Sequence, residues 1–172
     1  MIIFTILTAM TVLGQNLKVK YFIKGGDYKS ICNGTFAQRK IYINKDNKVY
    51  SKISNSEIVF WNDASVQGDE ILKAEINKNV IEILGHKCDG LILTCKSGSQ
   101  KYYFNSNLSV NSKLFANHKF GNRFDYFLKS NALPLKCIIE TAKFTLENTA
   151  IEVKSMMLDN KIFELPTGTK TE

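Results

Sequence analysis

The stretch Glu82–Gly98, EILGHKCDGLILTCKSG, decides how the rest of this chain is read. It holds one of the two histidines and two of the four cysteines, His86, Cys88 and Cys95, so a metal site, a redox pair and a disulfide all come to mind first. Spacing argues against the metal. Zinc sites draw their thiolates from a short Cys-x2–4-Cys step that puts both ligands on one tight turn, whereas Cys88 and Cys95 are seven positions apart with no second pair nearby. Leu91, Leu93 and Cys95 alternate with Ile92 and Thr94, which is the period of a strand. On a continuous strand an odd offset sends the two thiols to opposite faces, about 23 Å apart at about 3.3 Å per residue. Bridged cysteines need Cα atoms within about 7 Å. The stretch is therefore a hairpin, with Cys88 near its turn and Cys95 in the core beside Leu93.

The same period extends outward in both directions. In LKVKYFIK, Leu17, Val19, Tyr21 and Ile23 alternate with Lys18, Lys20, Phe22 and Lys24, and RKIYINKDNKVYSKI reads as a hairpin around Asn44–Lys48. SEIVFWND carries the only tryptophan on a further strand, and QKYYFNSN follows a turn at Ser97–Ser99. GDEILKAEIN is the one early segment with helical character. From Asn111 to Asn131 the rhythm changes: Leu114, Phe115, Phe120, Phe124, Phe127 and Leu128 take helical spacings around Gly121, giving two short helices or one broken one. Strands resume in LPLKCIIET, where Leu133, Leu135, Cys137 and Ile139 are expected on one face, and in KFTLENTAIEVKSM. The tail LDNKIFELPTG reads as a turn followed by an extended stretch. So many sequential strands must curl, close or split. The expected fold is mainly β (α+β): a large curved antiparallel sheet, or half-barrel, with a short helical insertion on its concave side.

At 172 residues, 44% hydrophobic and 11% aromatic, the chain suits one domain with a real core, expected over residues 15–172. The net charge of +7 is spread over single lysines without a basic cluster of interleaved aromatics, which argues against nucleic acid. MIIFTILTAMTVLGQ is uncharged and too short to span a bilayer, which takes about 20 residues. Residues 1–14 are read as a signal peptide cleaved near Gly14/Gln15, its missing basic n-region placing the true start a few codons upstream. A buried first strand is the rival reading. No cysteine follows the apolar run, which disfavours a lipid anchor, so the mature protein is expected to be periplasmic or otherwise exported, soluble and not membrane-spanning.

Catalytic constellations are absent by spacing. His86 and Cys88, at i and i+2 on an extended chain, point in parallel and have no Asp or Asn to orient the imidazole. Asp63, Asp69 and Glu70 lack the spacing of a calcium loop. No enzyme, no metal and no cofactor is expected. Cys95 and Cys137 both point inward, either to meet across the sheet in an oxidising compartment or to serve as small buried apolar side chains.

VYSKISNSEIVFWNDAS, EILGHKCDGLILTCKSG, ALPLKCIIET, FTLENTAIEVKSM and LDNKIFELPTG together resemble small periplasmic proteins related to the outer-membrane lipoprotein carrier (LolA-like) superfamily, most closely over Val80–Gly168. Leu133-Pro134-Leu135-Lys136 and the closing Asp159, Phe163, Pro166 and Gly168 carry the likeness. The resemblance implies acyl chains held in an apolar hollow between a curved sheet and a helical lid, with a lipid or an acylated protein as partner. Aromatics at these spacings are ordinarily core, but a capped concave sheet also makes a ligand hollow. The residues expected to line it are Phe60, Trp61, Leu91, Leu93, Tyr102, Phe104, Phe124, Phe127, Leu133, Leu135 and Ile139. The rival is an envelope structural or protein-interaction module whose core is filled by its own side chains and whose exposed edge strands carry the binding surface.

Overall fold

The computed structural model describes residues 13–33, 38–53, 56–153, 157–165 and 169–171; residues 1–12, on which most of the signal-peptide reading falls, lie outside these. The strands are β1 (Leu13–Lys24), β2 (Asp27–Asn33), β3 (Gln38–Ile43), β4 (Lys48–Ile53), β5 (Ile58–Asp63), β6 (Ile71–Ile83), β7 (His86–Cys95), β8 (Gly98–Ser109), β9 (Ala132–Thr141), β10 (Phe144–Ala150) and β11 (Lys170–Thr171). They form a single 11-stranded sheet in the order β11-β5-β4-β3-β2-β1-β10-β9-β8-β7-β6. β1–β5 and β6–β10 are two antiparallel meanders, and β1 joins them by pairing parallel with β10, Leu13 opposite Phe144 and Val19 opposite Ala150. The second parallel pairing is β11 on β5. The protein is thus mainly β, a curved half-barrel that does not close.

Connection length forces the curvature. Laid flat, β5, next to the edge strand β11, and β6, at the other edge, would lie about 43 Å apart at about 4.8 Å per neighbour, yet they are joined by residues 64–70 alone. That loop reaches at most about 29 Å, so the two ends must approach each other.

The helical insertion fills the concave side between them. It consists of 3-10 turns at Ser112–Phe115 and Phe120–Asn122 followed by α1 (Arg123–Ser130), broken at Gly121 as its spacing foretold. Its anchors are backbone groups. The Ala64 carbonyl in the β5–β6 loop accepts from the N–H groups of Lys119 (2.7 Å) and Phe120 (3.0 Å), and the N–H of Val110 donates to Asn131 at 2.8 Å. Gly68 in the same loop lies against Asn122, where even a Cβ would overlap the buried amide.

The opening stretch folds as its alternation dictates. β6 and β7 meet at the two-residue turn Leu84–Gly85, with φ of 52° and 76°, the left-handed pair that a tight type I′ hairpin requires. Cys95 joins the main core while Cys88 belongs to a separate cluster with Ile83, Leu135 and Ala150. GDEILKAEIN is corrected here: from Ile71 it is strand, not helix. A register shift between Tyr103 and Phe104, opposite Lys136 and Pro134, falls at Leu135. Leu135 therefore packs in the smaller cluster, apart from Cys137 and Ile139, which pack in the main one. KIF near the end forms a 3-10 turn at Asn160–Phe163.

Candidate functional site

The hollow between sheet and insertion is occupied by the protein's own side chains. Tyr42, Val49, Leu91, Leu93 and Tyr102 rise from the sheet and Phe115, Tyr126 and Phe127 descend from the insertion, all buried in one cluster. Their rings interlock: Phe115 stacks on Phe127 at 4.4 Å, and Tyr126 lies tilted against Tyr102 at 4.3 Å between centroids. Rings of this size bury about 150–250 Å² each, so this contact is the main source of the insertion's docking energy. The Tyr126 hydroxyl donates to the Ala132 carbonyl at 3.0 Å and satisfies the one polar atom it brings inside.

Of the residues expected to line a hollow, Leu91, Leu93, Tyr102, Phe104 and Phe127 are in this cluster and Ile139 packs against it. Phe124 and Leu133 are half-buried. Leu135 is in the smaller cluster, and Phe60 and Trp61 lie exposed on β5, with the Lys48 ammonium 3.9 Å from the Trp61 ring.

Polar and apolar groups from the sheet and the insertion meet at the mouth of the hollow. Arg123, Tyr21, Tyr28, Ile23, Phe127 and Pro134 surround a slot of about 10 Å³, room for a single water-sized group. Arg123 stands one helical turn before Phe127, so both project from the same side of α1. Burial works against the Arg123 charge, but with no basic partner to take its proton the guanidinium stays charged, its pKa held above the ordinary value by Tyr21, Tyr102, Tyr28 and Cys137. From the sheet, Tyr21 pairs with Ser30 and Ser30 with Lys40. Lys40 therefore shares the concave face; burial first, then the Arg123 charge, lowers its pKa. Its signal was in the sequence: Lys40 has the parity of Tyr42, an inward ring, and not that of the solvated lysines.

His118 lies beside this slot. It is 1% exposed, its Nε2 sits 3.0 Å from the Tyr28 hydroxyl, and it packs on Tyr42 at 4.3 Å. Burial, aided by Arg123 and Lys40, pushes its pKa down to about 3, so the ring is neutral, and its Nδ1 has no partner. The four cysteines are free and buried. Burial raises all four thiols, Cys137 to about 11, the opposite of what a reactive cysteine needs. Among the described residues no group of three or more His, Cys, Asp or Glu is placed to hold a metal ion, and no helix is long and apolar enough to cross a membrane.

Among the described residues the far edge of the sheet is unpaired. β6 is exposed at nearly every position, with Leu72 64% and Ile76 46% exposed, and Val80, Ile81 and Leu84 also at the surface. Lys73–Asn77 pair regularly with Gly90–Thr94 on one side only; beyond them the strand bulges up to Ile81. Asp89 holds that bulge by accepting from the Asn79 N–H at 3.0 Å and the Lys78 ammonium at 2.7 Å. Beside it lies a recess of about 90 Å³ bordered by Val80, Gly90, Lys101 and Tyr103. No family model, no curated protein and no solved structure matches the chain.

Proposed function

We propose that the protein acts by binding and not by catalysis, as a soluble cell-envelope module that takes an extended segment of a partner protein onto the β6 edge. The observation that carries this reading is the edge itself. A row of unpaired backbone groups beside exposed Leu72 and Ile76 is a template for one more strand, and the recess near Val80 offers a seat for one of that strand's side chains. The filled hollow favours this reading too, since the aromatic cluster leaves no room for a chain. A photo-crosslinking residue at position 76, compared with one at exposed Lys143, tests it in the envelope of the producing cell. Position 76 should trap one defined partner, and Glu75→Pro or Ile76→Pro should abolish that product, because one of any two adjacent residues points its N–H outward. Identical products at both positions would refute the reading.

A second reading follows from the slot. Ile23, Phe127 and Pro134 give it apolar walls where sheet meets insertion, so a lipid or another hydrophobic group would enter there by displacing part of the insertion. The LolA-like resemblance over Val80–Gly168 supports the same reading, as does the half-barrel with a helix on its concave side. Mass spectrometry of an organic extract of the purified protein tests it: a stoichiometric lipid is expected, and its absence together with no binding of added amphiphile would exclude this reading.

A further inference from the structure

We propose that the slot at the mouth of the hollow is a site for one oxyanion, a carboxylate or phosphate group borne on an apolar chain, held by Arg123 and Lys40 beside the Tyr21 hydroxyl. The inference rests on the second reading above and names the ligand class for it.

Arg123 lines the slot and Lys40 stands on the same concave face, in the cross-strand row of Tyr21; among the described residues neither enters an ion pair. The outer face of the same sheet differs. There Lys101 pairs with Glu140 at 2.8 Å and Lys136 with Glu147 at 2.7 Å. Two cations placed together away from water repel and are poorly solvated, a cost that an anion between them removes.

Tyr21, Ser30 and Lys40 form a cross-strand row over β1, β2 and β3, spaced about 4.8 Å apart, and this row interrupts an otherwise largely apolar concave face. Arg123 comes from the opposite layer and closes the slot from above. Tyr21 and Tyr28 from the sheet and Arg123 from the helix thus border one slot, Lys40 stands two strands from Tyr21 in the same row, and no carboxylate is among the slot's lining residues. A guanidinium fork presents paired N–H groups to two oxygens of a carboxylate or phosphate.

Three walls of the slot are polar, Tyr21, Tyr28 and Arg123, and three are apolar, Ile23, Phe127 and Pro134. The slot takes one oxygen-sized group, so an anion's inner oxygen occupies it. The remainder of the ligand lies in the mouth, which Arg123, only half-buried, leaves open to solvent.

Isothermal titration with decanoate, decyl phosphate, decanol and inorganic phosphate at constant ionic strength tests this. Decanoate and decyl phosphate should bind the wild type about 10- to 100-fold more tightly than decanol, as charge-assisted hydrogen bonds imply. Arg123→Gln and Lys40→Gln should shrink that ratio towards one, with Arg123→Lys keeping part of it, while ligand-free Arg123→Gln melts at or above the wild-type temperature. The wild-type comparison stands even where a variant folds poorly. Decanol binding as tightly as decanoate would overturn the oxyanion site and leave the hydrophobic reading in place. Inorganic phosphate binding as tightly as decyl phosphate, dependent on Arg123, would support the oxyanion site and remove the hydrophobic reading. No binding by any of the four would overturn both.

Discussion

Acidification should unfold this protein through one residue. His118 carries a pKa of about 3 in the folded protein against 6.5 for the free side chain. The unfolded chain therefore takes up the proton first, and the stability contributed by a neutral buried imidazole is complete above pH 6.5 and lost as pH falls towards 3. With these values the loss is about 2 kcal/mol between pH 7.5 and 5, and about 3 kcal/mol by pH 4. The upper window isolates the histidine. Asp63, Asp69, Asp89 and Glu140 are all held below their ordinary range, chiefly by hydrogen bonds from neighbours such as Ser65, Ser97, Lys78 and Lys101, so they do not titrate above pH 5. Urea melts at pH 7.5, 6 and 5 measure the slope directly, on the wild type and on His118→Phe. The variant leaves the Tyr28 hydroxyl without its partner, costing about 1–3 kcal/mol at every pH, but should lose less than about 0.5 kcal/mol across the window, since its protonation no longer couples to folding. Parallel slopes in the two proteins would refute the assignment of the pH response to His118.

Three other perturbations follow from the packing. Phe115→Ala removes the ring stacked on Phe127 and should cost about 3–5 kcal/mol in chemical denaturation; a loss under about 1 kcal/mol would mean the insertion is not docked through that ring. Gly68→Ala puts a methyl group into the Asn122 amide, so the β5–β6 loop and the insertion should separate, read as faster hydrogen exchange at the Phe120 and Phe124 amides with β9 unchanged. A thiol reagent at pH 8 should label none of Cys32, Cys88, Cys95 and Cys137 in the native protein and all four in denaturant; rapid native labelling of Cys137 would contradict its buried, proton-retaining state.

How much of this was legible in the sequence depended on whether the period stayed intact. Between His86 and Cys95 it does, so the opposed directions of Cys88 and Cys95 followed from counting. In β6 it does not. Register shifts between Ile71 and Lys73 and between Asn77 and Ile81 leave Leu72, Ile76 and Val80 four residues apart, a spacing that mimics a helix in a segment of good helix formers. Tertiary pairing with β7 overrode that preference. The bulge at Leu135 had the same effect on β9. The β1–β10 pairing was out of reach for a different reason: it joins residues about 130 positions apart, and neither strand carries a local sign of its partner. At the slot, the parity of Lys40 with Tyr42 and the helical spacing of Arg123 to Phe127 were signals in the sequence that its reading did not use, and their meeting needed the fold.

The two readings of function come apart at Arg123 more sharply than at the size of the hollow. A core filled only by its own side chains gains nothing from a guanidinium at its mouth, and apolar replacements of buried ionic groups are often neutral or stabilising. The same region also holds the buried polar atoms without partners, His118 Nδ1, Asn122 Oδ1 and Asn148 Oδ1. Asn148 lies opposite Cys137 on β9, and Asn122 directly precedes Arg123. Such atoms are few in native proteins and each costs about 1–3 kcal/mol, so their gathering on the side that faces the insertion, against paired charges on the outer face, marks where stability has been given up. The β6 edge accounts for neither His118 Nδ1 nor Asn148 Oδ1, since it lies at the far end of the sheet from β1, β2 and β10. Binding at the edge needs none of Arg123, Lys40 and His118, so the variant with all three made apolar, assayed for crosslinking at position 76 and for decanoate binding, would lose the second and keep the first.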